Sequence, residues 1–365
     1  MISEISSKVK FINQDKTLFY TALRANIEAY FEKNKVSKTG GSRLIVKALI
    51  MLFLYIIPYG LILSGNFSLT QMLLLTIPMG LGVAGVGMSV MHDAIHGSFS
   101  GIPLVNKIFG ASLYLLGGNV YNWEIQHNNL HHTYTNIHHM DEDITGKFLL
   151  RLNNDEKLKS VHRYQHLYAF FLYGLMTFSF LWKDFKEIPL YNKLAKSGIV
   201  PKYPKKEFVI LIFTKIAYVI FICMLPLYVL DISFWQWFLG FFTMHLIAGI
   251  ILSTVFQLAH VVEGAEQPIR NDEGNIENEW AIHQLNTTAN FAGKNKFLSW
   301  YIGGLDYQVE HHLFPRISHI HYPAMSSIVK KTAEDFGLSY NNKSSFVQGL
   351  RSHVIMLYNL GHGVA

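Results

Sequence analysis

The chain has 365 residues, of which half are hydrophobic and only 15% charged, with a formal net charge of +6. Soluble domains average about 25% charged residues, so this composition excludes a disordered or collagen-like chain. The single cysteine, Cys223, excludes an internal disulfide, a CxxC redox pair, a cysteine-rich zinc site and a four-cysteine iron–sulfur cluster. Against that one cysteine stand eighteen histidines, so any metal site has to be built from nitrogen and oxygen.

Residues 1–43 are polar and basic, without an apolar leader. Within them Phe19, Leu23, Ile27 and Phe31 recur at fourfold spacing, which predicts an amphipathic helix packing on the protein's own body, with a membrane-surface helix as the alternative. The expected division is therefore a cytosolic N-terminal segment, 1–43, followed by a membrane domain, 44–365. From Ala48 to Met91 no residue is charged. A membrane span needs about 20 apolar residues, so this run predicts two spans, about 44–64 and 69–91, joined by a turn at Gly65-Asn66-Phe67-Ser68. A second block predicts spans at about 208–230 and 234–256. The last of these continues without charge to Val262 and should protrude on the side carrying His260. The segment 166–182 is also apolar. Lysine and arginine number eight in 1–43, six in 92–164, seven in 183–207 and eight in 257–365, with none in the two short turns. By the positive-inside rule all the long segments, both termini and the histidines are then cytoplasmic, provided that 166–182 lies in the interface or re-enters and does not cross. The expected fold is all-α and polytopic, with four transmembrane helices and a cytosolic helical cap holding a histidine-rich di-metal site. Basic cytoplasmic faces account for the net charge without nucleic acid.

The histidines fall into clusters on that side. His92 and His96 form HxxxH; His127, His131 and His132 form HxxxHH; Gln308, His311 and His312 form QxxHH. Positions four apart share a helix face, so His92 with His96, and His127 with His131, can each aim two imidazoles at one point. His132 is expected to point about 100° away, toward a different neighbour. With His260 at the end of the last span there are eight imidazoles and one amide, too many for one octahedral ion and suited to two. Imidazole-rich sites suit iron, zinc, copper or nickel. His138 and His139 precede Asp141-Glu142-Asp143 and are expected to sit behind the ligands or in solvent. His245, mid-span, is expected to be hydrogen-bonded or to line a tunnel. His162, His166, His283, His319, His321, His353 and His362 carry an ordinary packing or surface reading.

In this order the three boxes resemble those of the membrane fatty acid desaturases. The tract Asn286–Asn290, Trp300-Tyr-Ile-Gly-Gly304 and Gln308-Val-Glu-His-His-Leu-Phe-Pro315 resembles the front-end (linoleoyl-CoA or delta-6-type) acyl desaturases most closely, over roughly residues 15–355. The resemblance implies two iron ions with O2 as co-substrate. It implies as ligands His92, His96, His127, His131, His132, His311 and His312, with His260 matching a further histidine at the end of the fourth span. Gln308 replaces a ligand histidine and would coordinate or orient a water; Gln257 is the nearest match to an asparagine acting through water. No HPGG haem signature of a fused cytochrome b5 occurs, so the resemblance implies a separate electron donor, a ferredoxin or a cytochrome b5 with its reductase.

The implied reaction inserts a cis double bond into an acyl chain, carried on a lipid or on CoA. Unactivated methylene C–H bonds offer no acidic proton, so acid–base catalysis cannot break them and a metal centre that activates O2 is required. Candidate walls of an acyl tunnel are Trp123, Trp300 and Tyr307, with Tyr121 and Tyr301; interfacial anchoring is the alternative for each. A hydroxylase of the same superfamily and, more distantly, a metal transporter are the competing functions. The near absence of ionisable residues within the spans weighs against transport.

Overall fold

The computed structural model describes residues 8–14, 16–144, 148–291, 293 and 295–364. Among them four helices are long and apolar enough to cross a membrane: α2 (Ser42–Leu63), α3 (Leu69–His96), α8 (Lys205–Val229) and α9 (Phe234–His260), preceded by α1 (Phe19–Asn34). All four expected spans are present; α3 runs past its expected end at Met91, and α9 continues to His260, as its charge-free continuation predicts. The α3 end at His96 and the α9 end at His260 are both buried by protein where the sequence turns polar. At about 1.5 Å per residue, the 27 residues of α9 reach well beyond the bilayer's ~30 Å apolar core.

The α2–α3 turn is set locally. Gly65 adopts φ +69°, and the Ser68 side chain caps α3 in a reciprocal box with Gln71. Helix α3 is the central element, because its glycines let backbones meet. A Cβ at Gly82 would lie 2.6 Å from the Tyr55 backbone nitrogen on α2, and one at Gly80 would lie 2.7 Å from the Met244 carbonyl on α9. The outward faces stay apolar: Ile50, Phe53 and Ile57 on α2 and Val209, Phe213 and Ile216 on α8 are exposed, as surfaces that face lipid must be.

Helix α4 (Pro103–Leu116) follows α3, and α5 spans 120–134. The segment 166–182 is not one of the four long apolar helices. It is divided at Leu175 between α6 (Gln165–Gly174) and α7 (Met176–Lys196). Lys215, unexplained by its place inside a span, is buried and bonded to Asp184 on α7 and to the carbonyls of Gly117 and Phe180. Breaking such a pair from one side leaves a buried charge, so Lys215→Met is expected to cost about 3–5 kcal/mol. The double replacement Lys215→Met with Asp184→Leu should recover most of that; thermal unfolding in detergent reads both.

The remaining helices, α10 (Trp280–Thr287), α11 (Lys296–Tyr301), α12 (Gln308–Leu313), α13 (Tyr322–Asp335) and α14 (Phe346–His362), form a cap over the His92 and His260 ends of the bundle. Helix α1 joins this cap. Phe19, Leu23, Ile27 and Phe31 are buried against Leu285, Val309, Met325 and Val329. Two two-residue strands, Asn290–Phe291 and Asn342–Lys343, pair in parallel and tie α14 to the segment preceding α11.

Candidate metal centre

Four elements converge where bundle meets cap. The α3 end brings His92 and His96, α9 brings His260, α5 brings His127, His131 and His132, and α12 brings His311 and His312. All eight expected imidazoles come together, each buried. The ligand atoms of His92, His96, His127 and His311 lie within 4.8 Å of one another, as do those of His131, His260 and His312. His132 sits between the two groups, its ring 4.6 Å from His311 and 4.4 Å from His312.

The position of His132 departs from the expected register. Residues Glu124–His131 form a π-helical stretch, with more than four residues per turn. Position i+5 then falls under position i, so His132 Nε2 lies 3.2 Å from His127 Nε2 rather than turned away from it. His131 meets His260 and His312 instead, with ring centres at 4.7 and 4.9 Å. A second π turn, Gly87–Met91, precedes His92.

The geometry fits metal ions. Ring nitrogens bound at about 2.1 Å to one ion lie about 3 Å apart, and the Nε2 atoms of His92 and His132 are each 3.2 Å from that of His127. The Nε2 atoms of His96, His131, His260, His311 and His312 are buried without a hydrogen-bond partner among the described residues, a costly arrangement unless an ion uses the lone pair. On four of these rings the other nitrogen is held. His131 Nδ1 lies 3.0 Å from Asp141, His312 Nδ1 2.9 Å from Gln284 Oε1, His311 Nδ1 3.2 Å from the Tyr322 hydroxyl and His260 Nδ1 3.3 Å from the Thr287 carbonyl. Holding Nδ1–H on an acceptor fixes the tautomer and turns Nε2 inward. Burial, reinforced by the surrounding imidazoles, holds His127, His132, His311 and His312 well below the usual histidine range, in the neutral form a metal needs. Burial acts the same way on His131, but Asp141 and then Asp143 outweigh it and raise that ring to about 9. Filling this position with a metal at pH 7.5 should therefore release one proton, measurable with an indicator dye during anaerobic metal loading.

Asp141, Asp143, Gln284 and Tyr322 escaped the sequence reading, since nothing in a linear pattern ties Tyr322 or Gln284 to a ligand; the acidic run at 141–143 was the one visible signal. Gln308 is buried in the first turn of α12 with its Nε2 unpartnered, and Gln257 reaches the Asp143 carbonyl at 3.4 Å. Of the aromatic candidates, Trp123 alone touches the histidines, stacked on His127 at 4.2 Å and edge-on to His92 and His96. Tyr307 donates to the Gly293 carbonyl and packs in the cap core, Tyr301 bonds the Leu81 carbonyl, Tyr121 bonds the Lys202 carbonyl, and Trp300 is partly exposed beside Lys47. His245 is hydrogen-bonded between Thr177 and Tyr218.

The description "Fatty acid desaturase" belongs to the family model that matches residues 68–344. The sn-1 linoleoyl-lipid 6-desaturase of Synechocystis sp. is 31% identical, over 98% of both chains. The enzyme of the same description from Arthrospira platensis is 32% identical over 96% of this chain and 94% of its own length. An acyl-lipid (8-3)-desaturase of Physcomitrium patens is 32% identical over 97% of this chain and 74% of its own. Similarity of this extent, in a chain with four apolar helices and buried imidazoles that fit metal ions, means that the protein belongs to the fatty acid desaturase family.

Proposed function

We propose that the chain is an O2-dependent desaturase of lipid-bound acyl chains with front-end selectivity, using two iron ions. His92, His96, His127 and His311 hold one iron, His131, His260 and His312 hold the other, and His132 lies between them. Gln308 and Gln257 are assigned to coordination or to ordered water beside the irons. The observation that carries this reading is the convergence of eight buried imidazoles, five of them with an inward Nε2 that no group among the described residues satisfies. When bound, the irons supply an oxidant strong enough for unactivated C–H bonds. Across the whole reaction two hydrogens leave the acyl chain, and two electrons and two protons arrive from outside as O2 becomes two waters. The protein's own part is to keep the imidazoles neutral and oriented, to exclude bulk water and to fix which methylenes lie beside the site.

Front-end selectivity is supported by the QxxHH box and by the named relatives, which act at position 6 of linoleoyl lipids or as (8-3)-desaturases. An acyl lipid is favoured over acyl-CoA on the same names. The long basic segments and the site face the cytoplasm, with 166–182 at the interface. A separate carrier, a ferredoxin or cytochrome b5 with its reductase, delivers the electrons. Between Ile188 and Lys206 there are five lysines and no acidic residue, a surface suited to an acidic carrier.

Metal analysis of anaerobically purified protein tests the reading: two tightly held irons per chain are expected, and exchangeable zinc would contradict it. Tyr322→Phe, which removes the acceptor from His311, should weaken iron binding about 10–100-fold, read by chelator competition.

A further inference from the structure

A buried polar chain outside the histidine groups leads to one of them. Lys47, on the first turns of α2, is 3% exposed, and its Nζ lies 3.1 Å from His319 Nε2. His319 Nδ1 lies 2.7 Å from Asp93 Oδ2, which the Ser318 hydroxyl also approaches at 3.5 Å. The other carboxylate oxygen of Asp93 is 3.9 Å from His92 Nδ1, a ring nitrogen with no hydrogen-bond partner. Lys47 also stands over the Trp300 ring at 5.5 Å. Its surroundings include a second buried carboxylate, Asp306, one oxygen of which is taken by the Ser299 hydroxyl.

Burying a lysine, a histidine and an aspartate is costly unless each satisfies the next. Here they do so in a line: Lys47 donates to His319, and His319 donates to Asp93. The line ends at His92, whose Nε2 is already in the first metal group. His131, His260, His311 and His312 have their own acceptors for Nδ1–H, and for His92 the one carboxylate at hand among the described residues is Asp93. Nothing in the linear pattern joins these residues: His319 lies 226 positions from Asp93 and 272 from Lys47.

We infer that Lys47, His319 and Asp93 are positioning residues for the His92-bound iron: Asp93 orients His92 and places a negative charge behind its ring, His319 pins the carboxylate, and the Lys47 charge offsets it. The inference rests on the two-iron reading above. Asp93 and Lys47 act on the same imidazole with opposite charge, so their removal shifts the iron in opposite senses. Asp93→Asn withdraws negative charge and raises the midpoint potential. Lys47→Met leaves the carboxylate unopposed and lowers it, and Lys47→Arg keeps the wild-type value. His319→Ala frees the carboxylate and weakens iron binding about tenfold or more, whereas His319→Gln, which can still accept from Lys47 and donate to Asp93, retains most of it.

The test uses the full chain in lipid nanodiscs, with iron per chain, chelator competition and midpoint potential by mediated spectroelectrochemistry as readouts. Opposite shifts in D93N and K47M, with K47R at the wild-type value, support the inference. Unchanged potentials, or shifts of the same sign, with two irons retained, overturn it while leaving the two-iron reading intact. If D93N loses its iron, the sign of the shift in K47M against K47R decides. A wild-type chain that holds no iron overturns both.

Discussion

Replacing His312 with alanine is expected to abolish desaturated product while the chain still inserts into the membrane. His312 Nε2 is one of three nitrogens in its group, and the ring is already fixed by Gln284 through Nδ1. Loss of a partner behind a ligand costs about 10–100-fold in affinity or activity, so loss of the ligand itself should cost more, about 100-fold or beyond. Iron should fall from two to about one per chain, because the His92 group does not depend on His312. His131→Ala should behave alike, since His131 completes the same group. Gln308→Ala should lower activity less, and His362→Ala, which lies on α14 away from the histidine groups, should leave it unchanged. Product analysis of membranes expressing each variant, alongside immunodetection of the protein, separates lost chemistry from lost protein.

The second large effect is expected from a residue without chemistry. Gly303 adopts φ +71°, and a Cβ there would lie 2.5 Å from the Met88 carbonyl and 2.9 Å from Ser89 Cα. Both contacts are to the backbone of the π turn just before His92, so no side chain can move aside. An L residue at this φ costs about 1–2 kcal/mol, and overpacking against backbone adds about 1–3 kcal/mol. Gly303→Ala is thus expected to destabilise the protein by several kcal/mol and to displace His92 and His96 together. Thermal unfolding and iron content should fall in parallel. Gly60→Ala is the control: its Cβ would meet nothing within 4 Å, and unfolding should be unchanged.

Gly303 also illustrates where the sequence stops informing. Its place in Trp-Tyr-Ile-Gly-Gly is visible, but its contact with Met88 is 215 positions away and depends on a π turn that no periodicity announces. The same holds for His132. A 3.6-residue repeat turns it from His127, and a local widening of the helix returns it. What was legible rests on strong one-dimensional signals. The charge-free runs mark the spans, because a bilayer tolerates few charges. The order HxxxH, HxxxHH, QxxHH marks the site, because ligand pairs need helical spacing. The groups that hold the ligands, such as Tyr322, Gln284 and the Lys47–His319–Asp93 line, come from segments with no spacing rule between them. Lys215 reads as an anomaly until Asp184, on a helix outside the four spans, is found beside it. Adjacency in sequence to the boxes does not fix where an aromatic lies: Trp123 stacks on His127, while Tyr307 packs in the cap core.

The most direct measurement is expression in a host whose lipids contain linoleoyl chains and little else polyunsaturated, followed by mass-spectrometric location of any new double bond. A new cis double bond is expected between the existing unsaturation and the carboxyl end, and is expected to be absent in the His312→Ala strain. A hydroxylated chain, or a new bond on the methyl side of the existing one, would contradict it.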